Sequence, residues 1–292
     1  MSTVKSFSVG NGDMFYINHN SDNFTIIDCC LGDDTPSDVL SEVAGLSKQK
    51  GITRFISTHP DEDHVLGLEL LDKTITILNF YCVKNSVTKP DETDSFKRYC
   101  GLRDSDKAFH IFKGCGRKWM NQSDEARKTS GIEILWPDLG NEHFKEAMDA
   151  AASGERPNNI SAIIQYSITE GATFLWMGDL ETEFMEAVED ALDLPPVDIL
   201  FAPHHGRDSG KIPESLLAKM SPKIIVVGEA PSEHLNYYEG YNTITQNSAG
   251  DILFNCETGK VHIFASYDYA VDFLDDESQS LENFNYIGTL SV

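Results

Sequence analysis

The stretch from Phe55 to Leu71, "FISTHPDEDHVLGLELL", decides the fold and points to one edge of it. An apolar run ends at Ile56, and apolar residues resume at Val65. Two imidazoles and three carboxylates lie between them. The pattern predicts a strand that turns into a helix at Val65. Polar side chains at such a junction are typical of a site at the carboxyl end of a sheet strand.

The rest of the chain repeats this alternation of strand-like and helical segments. Runs such as "FTIID", "TFLWMGD" and "DILFAP" suit half-covered strands, and amphipathic patterns such as "TPSDVLSEVAGLSKQ" suit helices, the latter beginning with Thr35 as cap and Pro36 in the first turn. Hairpins mixed with strand–helix units predict an α/β fold with mixed sheets. Residues 1–292 are expected to form a single domain.

Composition narrows the function classes. The net charge of −24 argues against non-specific adsorption to nucleic acid or to an anionic membrane. No apolar run approaches the roughly 18 residues of a membrane span. The first residues show no secretory pattern, and the six cysteines show no C-x-x-C spacing. The chain is therefore expected to be a reduced, cytoplasmic protein with no membrane partner.

Charge is spread unevenly along the chain. Residues 84–128 hold 11 of the 23 lysines and arginines, so 84–130 is interpreted as a basic insertion bordering the site. It is either a solvated insertion or a positive rim over a site for anions. Residues 266–292 are interpreted as an acidic C-terminal tail, loosely held after Ser266.

Chemistry-bearing residues follow four separate predicted strands: Asp28; His59, Asp61, Asp63 and His64; Asp179; and His204 with His205. In an extended turn alternate side chains converge, so His59 and Asp61 are expected to reach one point. Asp63 and His64 are expected to reach a second point nearby. Asp179 can bridge the two points, because a carboxylate has two oxygens. The spacing favours two metal ions roughly 3.5–4 Å apart with a shared hydroxide.

Five segments, in order, resemble the motifs of metallo-β-lactamase-fold hydrolases: "SVGNGDMFYI", "FTIIDCC", "THPDEDHVLG", "MGDLETE" and "APHHGRDSG". The resemblance is closest to the soluble hydrolase domain of ComEC-type competence proteins and covers about residues 4–265. It implies an αββα four-layer sandwich with two mixed sheets. It also implies two divalent ions, Zn or Mn, on the ligands His59, Asp61, Asp63, His64, Asp179 and His205.

The chain departs from the family pattern at several motif positions. Asn11 replaces a glutamine, Asp61 a histidine, and Arg207 a common serine. A family histidine is missing where this chain has Asn158 and Asn159, and only His234 remains of a His-Pro motif. The membrane channel of the competence proteins has no counterpart here, so DNA transport is not carried over.

The leading functional hypothesis is a phosphodiesterase or nuclease that acts on nucleotides or DNA through a metal-bridging hydroxide. Its catalytic residues are Asp63, Asp179 and His204. Of the two adjacent histidines, His205 is expected to bind metal and His204 to donate to the phosphate or leaving oxygen, with the reverse assignment left open. Arg207, Ser209 and Lys211 hold a non-bridging oxygen or belong to a solvated loop. Asp13, Asp28, Asn158 and Asn159 are expected to orient the ligands.

Two alternatives remain open from the residues alone. One is a carbonyl-ester, thioester or lactam hydrolase of the same fold. The other is a non-catalytic partner subunit. The expected partners are an anionic phosphodiester and, in some settings, another protein.

Overall fold

The structure is a computed structural model that describes residues 1–32, 36–231 and 238–292. The predicted cap Thr35 and the residual His234 lie outside these ranges. The α-helices of the described residues are α1 Pro36–Ser47, α2 Leu68–Ile75, α3 Asp94–Arg103, α4 Glu142–Ala152, α5 Thr182–Ala187, α6 Glu214–Met220 and α7 Gln246–Ala249. None of them is long and apolar enough to cross a membrane.

The strands of the described residues are β1 Ser2–Ser6, β2 Phe15–Asn18, β3 Asn23–Ile27, β4 Cys29–Cys30, β5 Ile52–Ile56, β6 Val65–Leu66, β7 Phe80–Cys82, β8 Ala108–His110, β9 Ile132–Trp136, β10 Ile163–Ser167, β11 Thr173–Trp176, β12 Ile199–Phe201, β13 Ile224–Val227, β14 Thr243–Thr245, β15 Ile252–Glu257, β16 Lys260–Ala265 and β17 Asn285–Ser291. Most are short and buried, with apolar residues that alternate or run continuously. Such runs suit sheets covered on both faces.

These strands form two large mixed sheets. The first has the order β17-β16-β15-β1-β2-β3-β5-β7-β8 and is antiparallel up to β3, then parallel. The second has the order β14-β13-β12-β11-β10-β9, parallel as far as β11 and antiparallel after it. The predicted α/β fold with two mixed sheets is confirmed.

Aromatic side chains pack the two sheets face to face. Phe15 of β2 lies 4.8 Å, between ring centroids, from Phe201 of β12 and 5.9 Å from Trp176 of β11. Phe254 of β15 lies 5.6 Å from Phe174 of β11. Such offset and edge-to-face pairs add to the burial of large apolar surface. The hydrophobic core therefore lies between the sheets.

Helices cover the outer faces of this pair of sheets. On the first sheet, Glu42 of α1 accepts a 2.9 Å hydrogen bond from the Tyr16 hydroxyl of β2. On the second, Phe144 of α4 and Phe184 of α5 contact Trp136 of β9. The layer order is helix, sheet, sheet, helix, as the αββα arrangement requires.

The segment 84–130 contributes α3 and the edge strand β8. Many of its basic side chains are held by acids. Arg98 pairs with Asp72, and Arg127 Nη1 lies 2.6 Å from Asp22. These pairs neutralise part of the positive charge that the sequence concentrates here.

The acidic segment 266–292 ends in β17, the opposite edge of the first sheet. Residues Lys260–Ala265 pair with it along their whole length. The strand was not predicted, because Gly288 and polar residues interrupt its apolar alternation. The expectation of a loose tail is therefore wrong for Asn285–Ser291.

The sequence predicts that the metal motif enters a helix at Val65, and this prediction is wrong. Glu62–His64 forms a single 3₁₀ turn, and Val65–Leu66 then pairs in parallel with Cys29–Cys30. Helix α2 begins only at Leu68, after Gly67 in a left-handed conformation with φ +79°. The backbone N–H and C=O groups of Val65 and Leu66 lie beside β4. They are satisfied by pairing with that strand instead of by an earlier turn of helix.

Candidate metal centre

Four strand ends deliver side chains to one point at the edge of the two sheets. Asp28 follows β3, and its amide donates to Ile56 at the end of β5. Asp179 follows β11 by three residues. Four imidazoles face the Asp179 carboxylate. His64 Nε2 lies 3.0 Å from Asp179 Oδ1. The Nε2 atoms that lie near Asp179 Oδ2 are those of His205 at 3.6 Å, His204 at 3.7 Å and His59 at 3.9 Å. Asp179 is the centre of the cluster.

The orientation of His64 is fixed by Asp28. Its Nδ1 lies 2.8 Å from Asp28 Oδ2. The same carboxylate accepts hydrogen bonds from the amide of Thr58 at 2.7 Å and from its hydroxyl at 2.6 Å. With Nδ1 engaged in this way, Nε2 of His64 is turned toward Asp179. Carboxylates that hold the outer nitrogen of a histidine in this manner are common around metal ligands.

Asp13 holds His205 in a similar position. His205 Nδ1 lies 3.2 Å from Asp13 Oδ1, and its Nε2 lies 3.5 Å from Asp63 Oδ2. Asp13 reaches this place because its amide donates to the carbonyl of Asp63 at 3.2 Å. Only glycine fits before it, since a Cβ on Gly12 would lie 2.5 Å from Cys30 Sγ and 2.6 Å from the Asp63 carbonyl oxygen.

The backbone is strained at the two adjacent histidines. His204 has φ 52° and ψ 43°, and His205 has φ 55° and ψ 16°. Left-handed conformations of non-glycine residues cost on the order of 1–3 kcal/mol each and concentrate at functional sites. Gly206 permits the turn, because a Cβ there would lie 2.4 Å from Val227 Cγ1. The strained turn directs both imidazoles toward Asp179.

His59 and Asp61 are held differently. His59 Nδ1 lies 3.1 Å from the Thr58 hydroxyl. Asp61 Oδ1 lies 2.8 Å from Lys89 Nζ and accepts a 2.9 Å hydrogen bond from the Glu62 amide. The structure therefore brings His59 to the cluster and joins Asp61 to a lysine of the basic segment.

The cluster fits a divalent cation. Buried ring nitrogens with no hydrogen-bond partner among the described residues include Nε2 of His59 and Nε2 of His205, while Nε2 of His64 and Oδ1 of Asp179 have each other at 3.0 Å, outside hydrogen-bond geometry. Each such atom costs roughly 1–3 kcal/mol when left unpaired. One ligand atom from each of Asp13, His64, Asp179 and His205 lies within 4.8 Å of the others. Mixed imidazole and carboxylate donors suit first-row divalent metals.

Electrostatics point the same way. Burial alone would lower the pKa of His64, but the carboxylates of Asp179 and Asp28 hold that pKa well above its usual range. Against the same effect of burial, Asp179 and Asp13 raise the pKa of His205 to about 10. The negative charge of the carboxylates thus favours a positive charge at this point. A bound cation would replace the imidazole protons as the source of that charge.

The residues expected to bind substrate lie just beyond His205. Arg207 donates from Nη2 to Asn11 Oδ1, and Ser209 Oγ lies 2.9 Å from His204 Nδ1. The carbonyl of Lys211 accepts a 2.7 Å hydrogen bond from the Thr182 hydroxyl. Arg207 and Ser209 therefore border the cluster.

Asn158 and Asn159 contact Glu181 rather than a histidine. Their amide nitrogens lie 3.3 and 2.8 Å from its carboxylate. The Glu181 amide in turn donates to Asn159 at 3.1 Å. Through Glu181, two residues after Asp179, they brace the turn that carries the central carboxylate.

Sequence reasoning missed four residues that shape the cluster. Thr58 adjoins the metal motif, and a hydroxyl beside a predicted ligand is a signal that could have found it. Ser161 accepts the Asp179 amide at 3.0 Å, while Lys89 and Glu181 act through contacts already described. Nothing in the local pattern around Ser161 or Lys89 distinguishes them.

No protein-family model matches the chain, and no curated protein matches it. Among solved structures, a similar chain is that of the metallo-β-lactamase SMB-1, in a complex with mercaptoacetic acid. The identity is 13% and the TM-score 0.39, over 74% of this chain and 85% of that chain. A likeness at this level carries no argument about the reaction, which must be inferred from the residues themselves.

Proposed function

We propose that the protein is a metal-dependent hydrolase that cleaves phosphodiesters of nucleotides or DNA. The observation that carries the proposal is the buried cluster of four imidazoles around the Asp179 carboxylate, in which Nε2 of His59 and of His205 have no hydrogen-bond partner among the described residues. Several buried carboxylates gathered at one point favour a positive charge there, which a bound cation would supply. The five ordered motifs that resemble metallo-β-lactamase-fold hydrolases support the same reading.

The proposed cofactor is a pair of divalent ions, Zn or Mn. His64, Asp179 and His205, with Asp63 or Asp13, would hold one of them. His59 and Asp61, together with Asp179, would hold the other. Bound divalent cations supply Lewis acidity that offsets charge on phosphoryl oxygens and make water a better nucleophile at neutral pH.

The chain's own residues supply positioning and proton transfer. His204 is nearly buried, with Nε2 facing Asp179 and Nδ1 beside the Ser209 hydroxyl. Burial lowers its pKa, so the ring is neutral near neutral pH. We assign to its Nε2 a hydrogen bond to the phosphate or to the leaving oxygen. Arg207 would hold a non-bridging oxygen of the anionic substrate.

Turnover assays test the proposal. Bis-p-nitrophenyl phosphate, cyclic nucleotides and single-stranded DNA are compared with p-nitrophenyl acetate, each with Mn²⁺ and with Zn²⁺. We expect phosphodiester cleavage that disappears in Asp179→Asn and persists in the control Glu183→Gln, an exposed carboxylate of α5. Hydrolysis of p-nitrophenyl acetate that depends on Asp179, without phosphodiester cleavage, would favour the carbonyl-ester alternative instead.

A further inference from the structure

One basic residue of the segment 84–130 reaches the metal motif itself. Lys89 Nζ lies 2.8 Å from Asp61 Oδ1 and 3.9 Å from Glu62 Oε2. The Lys89 side chain is 21% exposed and that of Asp61 is 29% exposed. An ion pair with this little access to water is screened less by salt than one on the open surface. Lys89 therefore acts on the charge of Asp61 directly.

The pair is held in place from both sides. Thr93, the cap of α3, donates from its hydroxyl to Glu62 Oε2 at 3.1 Å. The ammonium of Lys89 lies 5.0 Å from the ring centroid of Phe96, within the range of a cation–π contact. The start of α3 thus fixes the loop that carries Lys89 against the 3₁₀ turn of the metal motif. A lysine that moved freely at the surface would have neither the carboxylate partner nor the ring contact that Lys89 has.

This contact changes what Asp61 can offer to a metal ion. Its Oδ1 already receives the Lys89 ammonium and the Glu62 amide, which use both lone pairs of that oxygen. Only Oδ2 remains for a metal ion, and the ammonium would repel a second cation bound there. Among the described residues, no lysine or arginine forms an ion pair with Asp13, Asp63 or Asp179.

We propose that Lys89 makes the two metal positions unequal. One divalent ion binds tightly at His64, Asp179 and His205. The second position, which depends on Asp61, binds weakly because Lys89 already neutralises that carboxylate. The inference rests on the metal site of the proposed function, but it concerns affinity and not turnover.

Metal titration of the full chain tests it. Metal-stripped protein is titrated with Mn²⁺ and with Zn²⁺ by calorimetry, and bound ions are counted by mass spectrometry. We expect two steps in the wild type, the second at least about tenfold weaker than the first. Lys89→Gln should strengthen the second step roughly tenfold without changing the first, because it removes the ammonium that repels the cation. The control Lys73→Gln, at an exposed lysine of α2, should change neither.

Asp61→Asn completes a double-mutant cycle. It should keep the tight ion, and in its background Lys89→Gln should bring no gain, because the two residues act as one pair. Equal steps in the wild type, an unchanged second step in Lys89→Gln, or loss of the tight ion in Asp61→Asn would each overturn the inference. If Lys89→Gln fails to fold, Lys89→Met, which keeps the apolar stem against Phe96 and removes the charge, is titrated in its place.

The outcome separates from that of the proposed function. If the two ions bind with equal affinity and phosphodiesters are cleaved, only the role of Lys89 is refuted. If the ions bind with unequal affinity and phosphodiesters are not cleaved, only the proposed reaction is refuted.

Discussion

The two halves of the candidate metal centre, as proposed above, contain almost the same residue types in different surroundings. In one half, His64 and His205 each have a carboxylate at Nδ1, from Asp28 at 2.8 Å and Asp13 at 3.2 Å. In the other half, His59 has the Thr58 hydroxyl and no carboxylate at Nδ1 among the described residues, and Lys89 binds the nearby carboxylate of Asp61. The neighbours of a donor atom, more than its residue type, decide how strongly it can bind a cation.

The two halves share Asp179, so its loss should have the largest effect. Asp179→Asn keeps the volume and removes the charge that the imidazoles surround. We expect turnover to be abolished and at least one ion to be lost, because both positions need this carboxylate. Metal counting and the phosphodiester assay check it. Two retained ions in Asp179→Asn and in Asp63→Ala would refute the site assignment.

Removing the carboxylate behind His64 should weaken the stronger half. Asp28 has φ 56°, and asparagine tolerates that left-handed conformation, so Asp28→Asn leaves the backbone intact. Affinity for the tight ion should fall roughly 10–100-fold. Competition with a fluorescent chelator measures this. An affinity equal to that of the wild type would mean that the hydrogen bond at Nδ1 contributes nothing.

The turn that carries Asp13 can be broken sterically. Gly12→Ala forces a Cβ against Cys30 Sγ and the Asp63 carbonyl, so we expect a loss of about 1–3 kcal/mol in the free energy of unfolding. Gly45→Ala is the matched control, since it lies inside α1 with nothing within 4 Å. It should be neutral or gain up to about 1 kcal/mol. Chemical denaturation followed by circular dichroism compares them.

Metal preference tests the weaker half. Carboxylate and water ligands suit Mn²⁺, so metal-stripped protein should regain more phosphodiesterase activity with Mn²⁺ than with Zn²⁺. Asp61→His replaces an oxygen ligand by nitrogen and leaves Lys89 without its partner, which should shift the preference toward zinc. Full recovery with stoichiometric Zn²⁺, and no gain from Mn²⁺, would contradict the argument from ligand type.

The smallest effect is expected at the outer surface of the basic segment. Lys97 is 57% exposed and lies 3.8 Å from Asp94, whereas Arg98 and Arg103 are held in closer ion pairs. Lys97→Gln should raise KM slightly at low salt and leave it unchanged at high salt, because exposed charges are screened. A KM unchanged at both salt concentrations would make Lys97 an ordinary surface residue.

Local patterns were sufficient to predict the fold class and four of the residues that the structure brings together. His59, His64, Asp179 and His205 each follow an apolar run closely, and parallel strands bring such positions to one edge. The mixed sheets followed from hairpins and strand–helix units in the same chain. Whether each residue has the role that the sequence suggests stays a prediction.

What the sequence could not supply are contacts between distant segments. The ion pair of Lys89 with Asp61 spans 28 positions, and the hydrogen bond between Ser161 and the Asp179 amide spans 18. Pairing partners also decided the start of α2, because Val65 joins a ladder with Cys29 that no local signal reveals. Strand β17 likewise exists because β16 offers it an edge, and its own propensity is weak.

The burial of the thiols has a practical consequence for measuring metal at this centre. Cys29 and Cys30 lie beside the cluster, and all six cysteines are free. Burial raises the pKa of Cys30 and of Cys82 to about 12, and raises that of Cys100 as well, so thiolates are scarce at neutral pH. The purified protein should therefore tolerate handling without dithiothreitol. Because that dithiol competes for zinc, its omission lets the ion count report the protein's own affinity.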